Sequence, residues 1–175
     1  MYMDIFDAFS HVKAFVFDVD GVLTDSTIYL LGNGEQARRM NIKDGYALQL
    51  AINKGYKVIV MSGADASSAE LRLQRLGITD LYFGVISKLT LLQQILGKYH
   101  ITPSQVLYMG DDIPDADVMK YSGLPCCPSD AVPEIKSISF YISSLPGGYG
   151  CVRDVIEKVL KLNGDWGNDT LVPSK

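Results

Sequence analysis

The feature that most constrains the fold of this chain is a regular alternation of short apolar runs with longer segments of helical apolar spacing. This alternation is typical of βαβ units, in which crossover helices join parallel strands that are buried on both faces. The sequence therefore predicts an α/β domain with a parallel sheet and helices on both of its faces. The predicted strands are residues 14–17, 57–61, 81–83, 106–110, 124–127 and 139–142. The predicted helices are residues 45–54, 66–76, 89–99, 115–121 and 152–162.

One segment, residues 27–41, interrupts the alternation. It contains the apolar run TIYLL, then Gly32-Asn33-Gly34, then a polar run. An Asn-Gly pair favours a hairpin with a type I′ turn, in which both central residues have positive φ. We therefore expect a β-hairpin to project just after the first strand, close to any site formed at the end of that strand.

Length and charge narrow the class of protein. The 175 residues suit one domain, predicted over 1–165, while the aperiodic residues 166–175 are expected to form a flexible tail. A net charge of −4 argues against broad binding to nucleic acid or to an anionic membrane. The start of the chain lacks signal-peptide features, no apolar stretch reaches 18 residues, and the three cysteines follow neither a disulfide nor a zinc spacing. We expect a cytoplasmic protein with reduced thiols.

Polar groups follow four predicted strands, at the sheet edge where open parallel sheets bind ligands. They are Asp18 and Asp20 after the first strand, Ser62 and Gly63 after the second, Lys88 beyond the third, and Asp111, Asp112 and Asp115 after the fourth. Each alone could be a turn residue, a helix cap or a solvated charge. Their occurrence together at one edge favours a catalytic site.

The residue types point to phosphoryl-transfer chemistry. Asp18 and Asp20 repel each other unless a cation, a shared proton or hydrogen bonds compensate. With Asp111 they offer the oxygen ligands that Mg²⁺ prefers. Asp18 could attack phosphorus as a carboxylate nucleophile, and Asp20 could move protons to the leaving alcohol and from water. Lys88 and Ser62 could hold the phosphoryl oxygens.

These stretches carry a family resemblance. DVDGVLTD, Ser62-Gly63, Lys88 and GDDIPD resemble the four motifs of the haloacid dehalogenase superfamily. With NIKDGYAL, LGI and GGYGCVRD, nearly the whole chain is similar to the capless phosphatases that act on 3-deoxy-D-manno-octulosonate 8-phosphate. The resemblance implies a three-layer Rossmann-like fold without a cap domain. It also implies Mg²⁺-dependent hydrolysis of that sugar-acid phosphate, in lipopolysaccharide precursor synthesis, by a homotetramer.

The resemblance also implies roles for the acidic residues. Asp18 would be the nucleophile and a metal ligand. Asp20 would be the acid/base, with its backbone carbonyl on the metal, and Asp111 would complete the protein ligands. Asp112 and Asp115 would order metal-bound waters.

The substrate site implied by the resemblance extends beyond these acids. Its residues are Asp20, Asn41, Ile42, Lys43, Asp44, Gly45, Ser62, Gly63, Arg72 and Lys88. Two positions depart from the family pattern, because Ala64 and Gln49 stand where relatives carry Arg. The cations that could compensate are Lys43, Arg38, Arg39 and Arg72, although Arg38 and Arg39 also fit solvated hairpin charges. A nine-carbon 3-deoxy-2-keto acid phosphate is therefore an alternative substrate.

Two further segments fit the implied tetramer. The TIYLL strand would be an exposed edge in a monomer, and the family packs this hairpin between subunits. The resemblance also implies that the C-terminal segment of one subunit reaches a neighbour's active site. The Gly147-Gly148-Tyr149-Gly150 stretch could approach a ligand closely there, or it could be a plain linker to the last helix.

Other classes of protein remain open from the residues alone. A receiver domain carries similar groups, but its acidic pair lies on the first strand and its phospho-acceptor on the third. A binding subunit would not need intact catalytic positions, and a phosphomutase usually carries a cap. We therefore expect a hydrolase.

Overall fold

The computed structural model describes residues 4–65, 68–167 and 172. The strands in chain order are β1 (Ala14–Phe17), β2 (Tyr29–Leu30), β3 (Gln36–Ala37), β4 (Lys57–Met61), β5 (Asp80–Tyr82), β6 (Val106–Met109), β7 (Leu124–Cys127) and β8 (Tyr141–Ile142). Six of them form one parallel sheet in the order β5-β4-β1-β6-β7-β8. The predicted parallel sheet is confirmed, and β1 lies at its centre.

Helices cover both faces of this sheet. In chain order they are α1 (Ile5–Ser10), α2 (Ile42–Asn53), α3 (Ser68–Arg75), α4 (Lys88–Tyr99), α5 (Ala116–Tyr121), α6 (Pro133–Ile138) and α7 (Cys151–Leu162). Helices α1, α2, α3 and α7 bury apolar residues against one face, and α4, α5 and α6 against the other. The three-layer fold is therefore confirmed.

Alternate side chains of the central strand β1 pack into different halves of the core, one on each face of the sheet. Phe15 and Phe17 lie in the cluster beneath α2 and α7, whereas Ala14 and Val16 lie in the cluster beneath α4. All four side chains are fully buried. Burying a side chain the size of Phe stabilises a fold by about 1.5–3 kcal/mol, so β1 is held firmly on both faces.

Element boundaries differ from the predicted ones where local caps decide them. Helix α2 begins three residues earlier than predicted, because the Asn41 side chain accepts a hydrogen bond from the Lys43 amide at 2.8 Å. Helices α1 and α6 were not predicted. Each has only six residues, too few to establish a helical period in the sequence.

The predicted hairpin is present, but the predicted type I′ turn is wrong. Strands β2 and β3 pair antiparallel, and Gly34 has a φ of 84° while Asn33 does not have positive φ. The Leu31 carbonyl accepts from the Gly34 amide, and the Leu31 amide donates to Glu35. This is a three-residue loop in which a left-handed glycine follows an ordinary turn.

The end of the chain is described only in part. Trp166 packs edge-on against Tyr46, and the Tyr46 hydroxyl donates to the Gly167 carbonyl at 3.4 Å. Most of the tail predicted over 166–175 lies outside the described residues, so its flexibility stays a prediction. In the described part of the chain, no helix is both long and apolar enough to cross a membrane.

Candidate active site

The central strand delivers Asp18 to the carboxyl edge of the sheet. The chain then makes a wide turn over Val19–Leu23, in which Gly21 has a φ of 91°. A Cβ atom at Gly21 would lie 1.9 Å from Asp111 Oδ2. Glycine is therefore required here twice, for its backbone conformation and for the close approach of a carboxylate.

Lys88 ties the end of β1 to the segment that follows β6. It is the first residue of α4, and its Nζ lies 2.9 Å from Asp18 Oδ1 and 2.7 Å from Asp115 Oδ1. The Tyr108 hydroxyl also donates to Asp115 Oδ1, at 2.7 Å. Burial lowers the pKa of Lys88, but the charges of Asp18 and Asp115 outweigh it and raise that pKa above its ordinary value. The lysine is therefore a fixed cation.

Three carboxylates converge beside this lysine. Asp18, Asp111 and Asp115 each place one oxygen within 4.8 Å of the others. Burial, followed by the charge of Asp115, raises the pKa of Asp18 to about 6, although Lys88 opposes this. Burial, followed by the charges of Asp18 and Asp115, raises the pKa of Asp111 to about 7. The protein alone thus compensates these charges poorly.

A hard divalent cation fits this cluster. Asp111 Oδ1 is buried and accepts no hydrogen bond from the described residues, so it is a free ligand atom. The donor set consists of oxygen atoms, which is what Mg²⁺ requires. The structure brings the predicted ligands Asp18 and Asp111 together, and Asp115, which accepts hydrogen bonds from Lys88 and Tyr108, lies beside them. The Asp20 carboxylate does not belong to this cluster.

Ser62 and Gly63 lie at the end of β4, beside β1, which ends at Asp18. The Ser62 side chain is buried, and its Oγ accepts from the Ala64 amide at 3.1 Å. A cavity of about 330 Å³ joins the two strand ends. Its lining residues are Asp18, Asp20, Ser26, Ile28, Ser62, Gly63, Ala64, Val85, Ile86, Lys88, Asp111, Asp112, Pro114 and Asp115. The structure thus places every predicted catalytic side chain in one cavity.

The sugar-acid residues predicted around α2 lie elsewhere. Asn41 and Lys43 line a second cavity, of about 490 Å³, between α2 and α7. Ile42 is 69% exposed. None of these three residues lines the cavity that contains Asp18. Within the single chain, the described residues therefore do not join the two predicted parts of the substrate site.

The other predicted residues of that set are packed inside the protein. The Asp44 side chain is buried, and its Oδ1 accepts from the Arg153 amide at 2.7 Å. A Cβ atom at Gly45 would lie 3.3 Å from an Arg72 nitrogen, so α2 and α3 approach closely at this glycine. Asp44 acts as a cap for the first turn of α7, supplied by another helix.

The GGYG segment packs against the Val19–Leu23 turn of the same chain. The Gly148 amide donates to the Val22 carbonyl at 2.9 Å, and a Cβ atom at Gly147 would lie 2.0 Å from the Gly21 carbonyl oxygen. The Cys151 thiol also donates to the Val22 carbonyl, at 3.3 Å. This contact gives the glycines a structural purpose that a plain linker lacks.

Sequence reasoning missed Tyr108 and left the role of Arg38 open. Tyr108 lies in an apolar strand, where its hydroxyl was the only signal of a buried polar partner. Arg38 was predicted as a compensating cation or a solvated charge, but its guanidinium pairs with Asp20 at 2.6 Å and its side chain is 6% exposed. The signal for Arg38 was its position at the base of a hairpin that follows the Asp20 turn.

Comparison with known proteins agrees with this geometry. Residues 75–146 match the family of haloacid dehalogenase-like hydrolases. The chain is 36% identical over 161 residues to the 3-deoxy-D-manno-octulosonate 8-phosphate phosphatase KdsC of Escherichia coli (strain K12), which covers 92% of this chain and 86% of that protein. The Yersinia pestis phosphatase of the same name has a crystal structure with a TM-score of 0.89 and 33% identity, covering 92% of this chain and 87% of that one.

A third relative was solved with ligands. The crystal structure of the Moraxella catarrhalis phosphatase, in complex with a magnesium ion, a phosphate ion and a KDO molecule, has a TM-score of 0.87 and 31% identity. It covers 90% of this chain and 91% of that one. Fold and site together thus define a haloacid dehalogenase-like hydrolase. More narrowly, the chain belongs to the family of 3-deoxy-D-manno-octulosonate 8-phosphate phosphatases.

Proposed function

We propose that this protein hydrolyses 3-deoxy-D-manno-octulosonate 8-phosphate to the free sugar acid and phosphate, as its relatives are named to do. The observation that carries the proposal is the convergence of Asp18, Asp111 and Lys88 in one cavity at the end of β1. Family membership supplies the substrate class. The reaction would serve lipopolysaccharide precursor synthesis in the cytoplasm.

The cavity suits an aspartyl-phosphate route. An Asp18 oxygen attacks phosphorus, the bond from phosphorus to the alcohol oxygen breaks, and Asp20 gives the leaving oxygen a proton. In the second half, Asp20 takes a proton from water, whose oxygen attacks phosphorus and frees the Asp18 carboxylate. Lys88 and the Ser62 hydroxyl stabilise the charge on the phosphoryl oxygens.

Mg²⁺ would be held by Asp18, Asp111 and the backbone carbonyl of Asp20. When bound, it neutralises charge on the phosphoryl group and on the clustered carboxylates. The raised pKa values of Asp18 and Asp111 and the buried free oxygen of Asp111 support this assignment. The dependence on Mg²⁺ is therefore part of the proposal.

We further propose that the active form is a homotetramer assembled through the hairpin. Its apolar residues Ile28, Tyr29, Leu30 and Leu31 are 45–79% exposed in the single chain, which is unfavourable for a free edge strand. Another subunit would also explain why Asn41 and Lys43 lie outside the Asp18 cavity. Leu30→Glu should shift the mass measured by light scattering from tetramer towards smaller species, and an unchanged mass would count against this interface.

A nine-carbon 3-deoxy-2-keto acid 9-phosphate is the second candidate substrate. It is favoured by one observation: Ala64 lines the Asp18 cavity at a position where the family resemblance implies Arg. A bidentate guanidinium contact to the substrate carboxylate would then be absent, and Lys cannot reproduce its geometry. The chemistry is the same for both substrates, so only a direct comparison separates them.

The test is phosphate release from a small panel, with and without Mg²⁺. The panel contains both sugar-acid phosphates, a hexose 6-phosphate and p-nitrophenyl phosphate, with Asp18→Asn as the inactive variant. A large preference for the eight-carbon substrate supports the proposal, and a preference for the nine-carbon acid replaces the substrate but keeps the mechanism. Substantial turnover by Asp18→Asn would rule out the aspartyl-phosphate route.

A further inference from the structure

The Asp20 carboxylate is held by an arginine from the hairpin. Arg38 Nε donates to Asp20 Oδ1 at 2.6 Å, and Nη2 donates to Oδ2 at 3.2 Å. The Arg38 side chain is 6% exposed, whereas that of Asp20 is 34% exposed and lines the cavity. A bidentate pair fixes the plane of a carboxylate as well as its position.

Arg38 is the sole partner of this carboxylate among residues 4–65, 68–167 and 172. No other side chain or amide in that part of the chain donates a hydrogen bond to the Asp20 side chain. Asp18, by contrast, is held by Lys88. Without Arg38, the Asp20 side chain could rotate freely into the open part of the cavity.

The hairpin is itself fastened to the turn that carries Asp20. Next to Arg38, Arg39 pairs with Asp25 at 2.7 Å, and Thr24 forms a β-bridge with Met40. The return strand of the hairpin therefore contacts both ends of the turn. This places the Arg38 guanidinium at a defined distance from the strand that bears the nucleophile.

We propose that Arg38 is a positioning residue for hydrolysis, which holds the Asp20 carboxylate where it can exchange a proton with the leaving oxygen. The inference rests on the proposed function, because it assigns Arg38 a role in the same site. Arg38 contacts Asp20 and none of the reacting atoms. The hairpin thus contributes to the reaction within its own subunit.

The expected effect depends on the leaving group. A misplacement of about 1 Å can cost about 100-fold in rate, and we expect a loss of this size in kcat/KM for the sugar-acid phosphate. The value of kcat/KM reports the steps up to release of the alcohol. p-Nitrophenolate leaves without a proton, so kcat/KM for p-nitrophenyl phosphate should stay within about threefold of wild type.

The experiment compares Arg38→Gln and Arg38→Lys with Arg75→Gln on both substrates. Arg75→Gln is the matched control, since it removes the same charge at an exposed position of α3 that does not line the Asp18 cavity. Arg38→Lys keeps the charge but cannot form the bidentate pair, so it should recover only part of the loss. Thermal unfolding of each variant shows whether the fold is retained.

Each outcome decides something specific. A loss confined to the alkyl substrate, absent in Arg75→Gln and only partly recovered in Arg38→Lys, supports the proposal. Equal losses on both substrates, full activity of Arg38→Lys, or a raised KM with unchanged kcat would overturn it. If wild type hydrolyses neither substrate, the proposed function fails instead.

Discussion

Replacing Asp44 with Asn should remove a pH-dependent part of this protein's stability. Asp44 is 2% exposed, and its Oδ2 is buried without a hydrogen-bond partner among the described residues. Burial raises the pKa of Asp44 from 3.8 to about 6, although the backbone amides of Arg153 and Gly150 oppose this. The carboxylate that caps α7 is therefore costly to ionise.

The size and sign of the effect follow from linkage. The pKa of Asp44 rises from 3.8 to about 6 on folding. At about 1.36 kcal/mol for each unit of pKa, this difference corresponds to about 3 kcal/mol of stability. Because the folded state binds the proton more tightly, this stabilisation is fully present below pH 3.8 and is lost as the pH rises through about 6. When the pH is lowered from 7.5 to 5.0, the contribution of Asp44 to the free energy of unfolding should rise by about 1.4 kcal/mol.

The assay is urea denaturation at both pH values, with every variant at the same micromolar concentration of chain. Wild type should gain about 1.4 kcal/mol more than Asp44→Asn on going to pH 5.0, because Asn does not titrate. Asp117→Asn is the matched control, since it makes the same change at an exposed position. Parallel pH profiles for wild type and Asp44→Asn would refute the reasoning and would indicate that a cation compensates Asp44.

Two other substitutions test the site itself. Mg²⁺ at 100 times its dissociation constant should stabilise wild type by about 3 kcal/mol. In a thermal shift assay, Asp111→Asn should lose most of this stabilisation, whereas the control Asp117→Asn should keep it. An undiminished Mg²⁺ effect in Asp111→Asn would remove Asp111 from the ligands. Gly147→Ala should lower kcat/KM by about tenfold or more, because its Cβ would lie 2.0 Å from the Gly21 carbonyl oxygen and would displace the catalytic turn. Gly97→Ala, where a Cβ meets nothing within 4 Å, should stay fully active, and an active Gly147→Ala would show that the turn does not need this contact.

The strands were predictable because each is a short apolar run between segments of another period. Residues 14–17, 57–61 and 124–127 were predicted with the observed bounds. Helices of 12 residues were also predicted, whereas the six-residue α1 and α6 were not. The hairpin was predicted from Asn33-Gly34, but its turn type was decided by the three-residue loop that the hydrogen bond between Leu31 and Glu35 encloses.

The sequence was enough to predict which groups line the candidate site. Parallel strands end at one edge of the sheet, and Asp18, Ser62, Lys88 and Asp111 each follow a strand or begin a helix there. Chain order alone carries that information. Their partners were decided by the tertiary structure. Arg38 could be a solvated charge or a ligand until the hairpin folded back onto Asp20.

Asp44 shows the same division of information. Asp44 lies in a stretch that resembles a substrate site. That resemblance did not predict its contact with α7, which lies more than 100 residues further along the chain. Only packing of α2 against α7 turns its carboxylate towards the Arg153 amide and removes it from water. Hydrogen bonds and burial between distant segments depend on three-dimensional geometry, which a one-dimensional pattern does not contain.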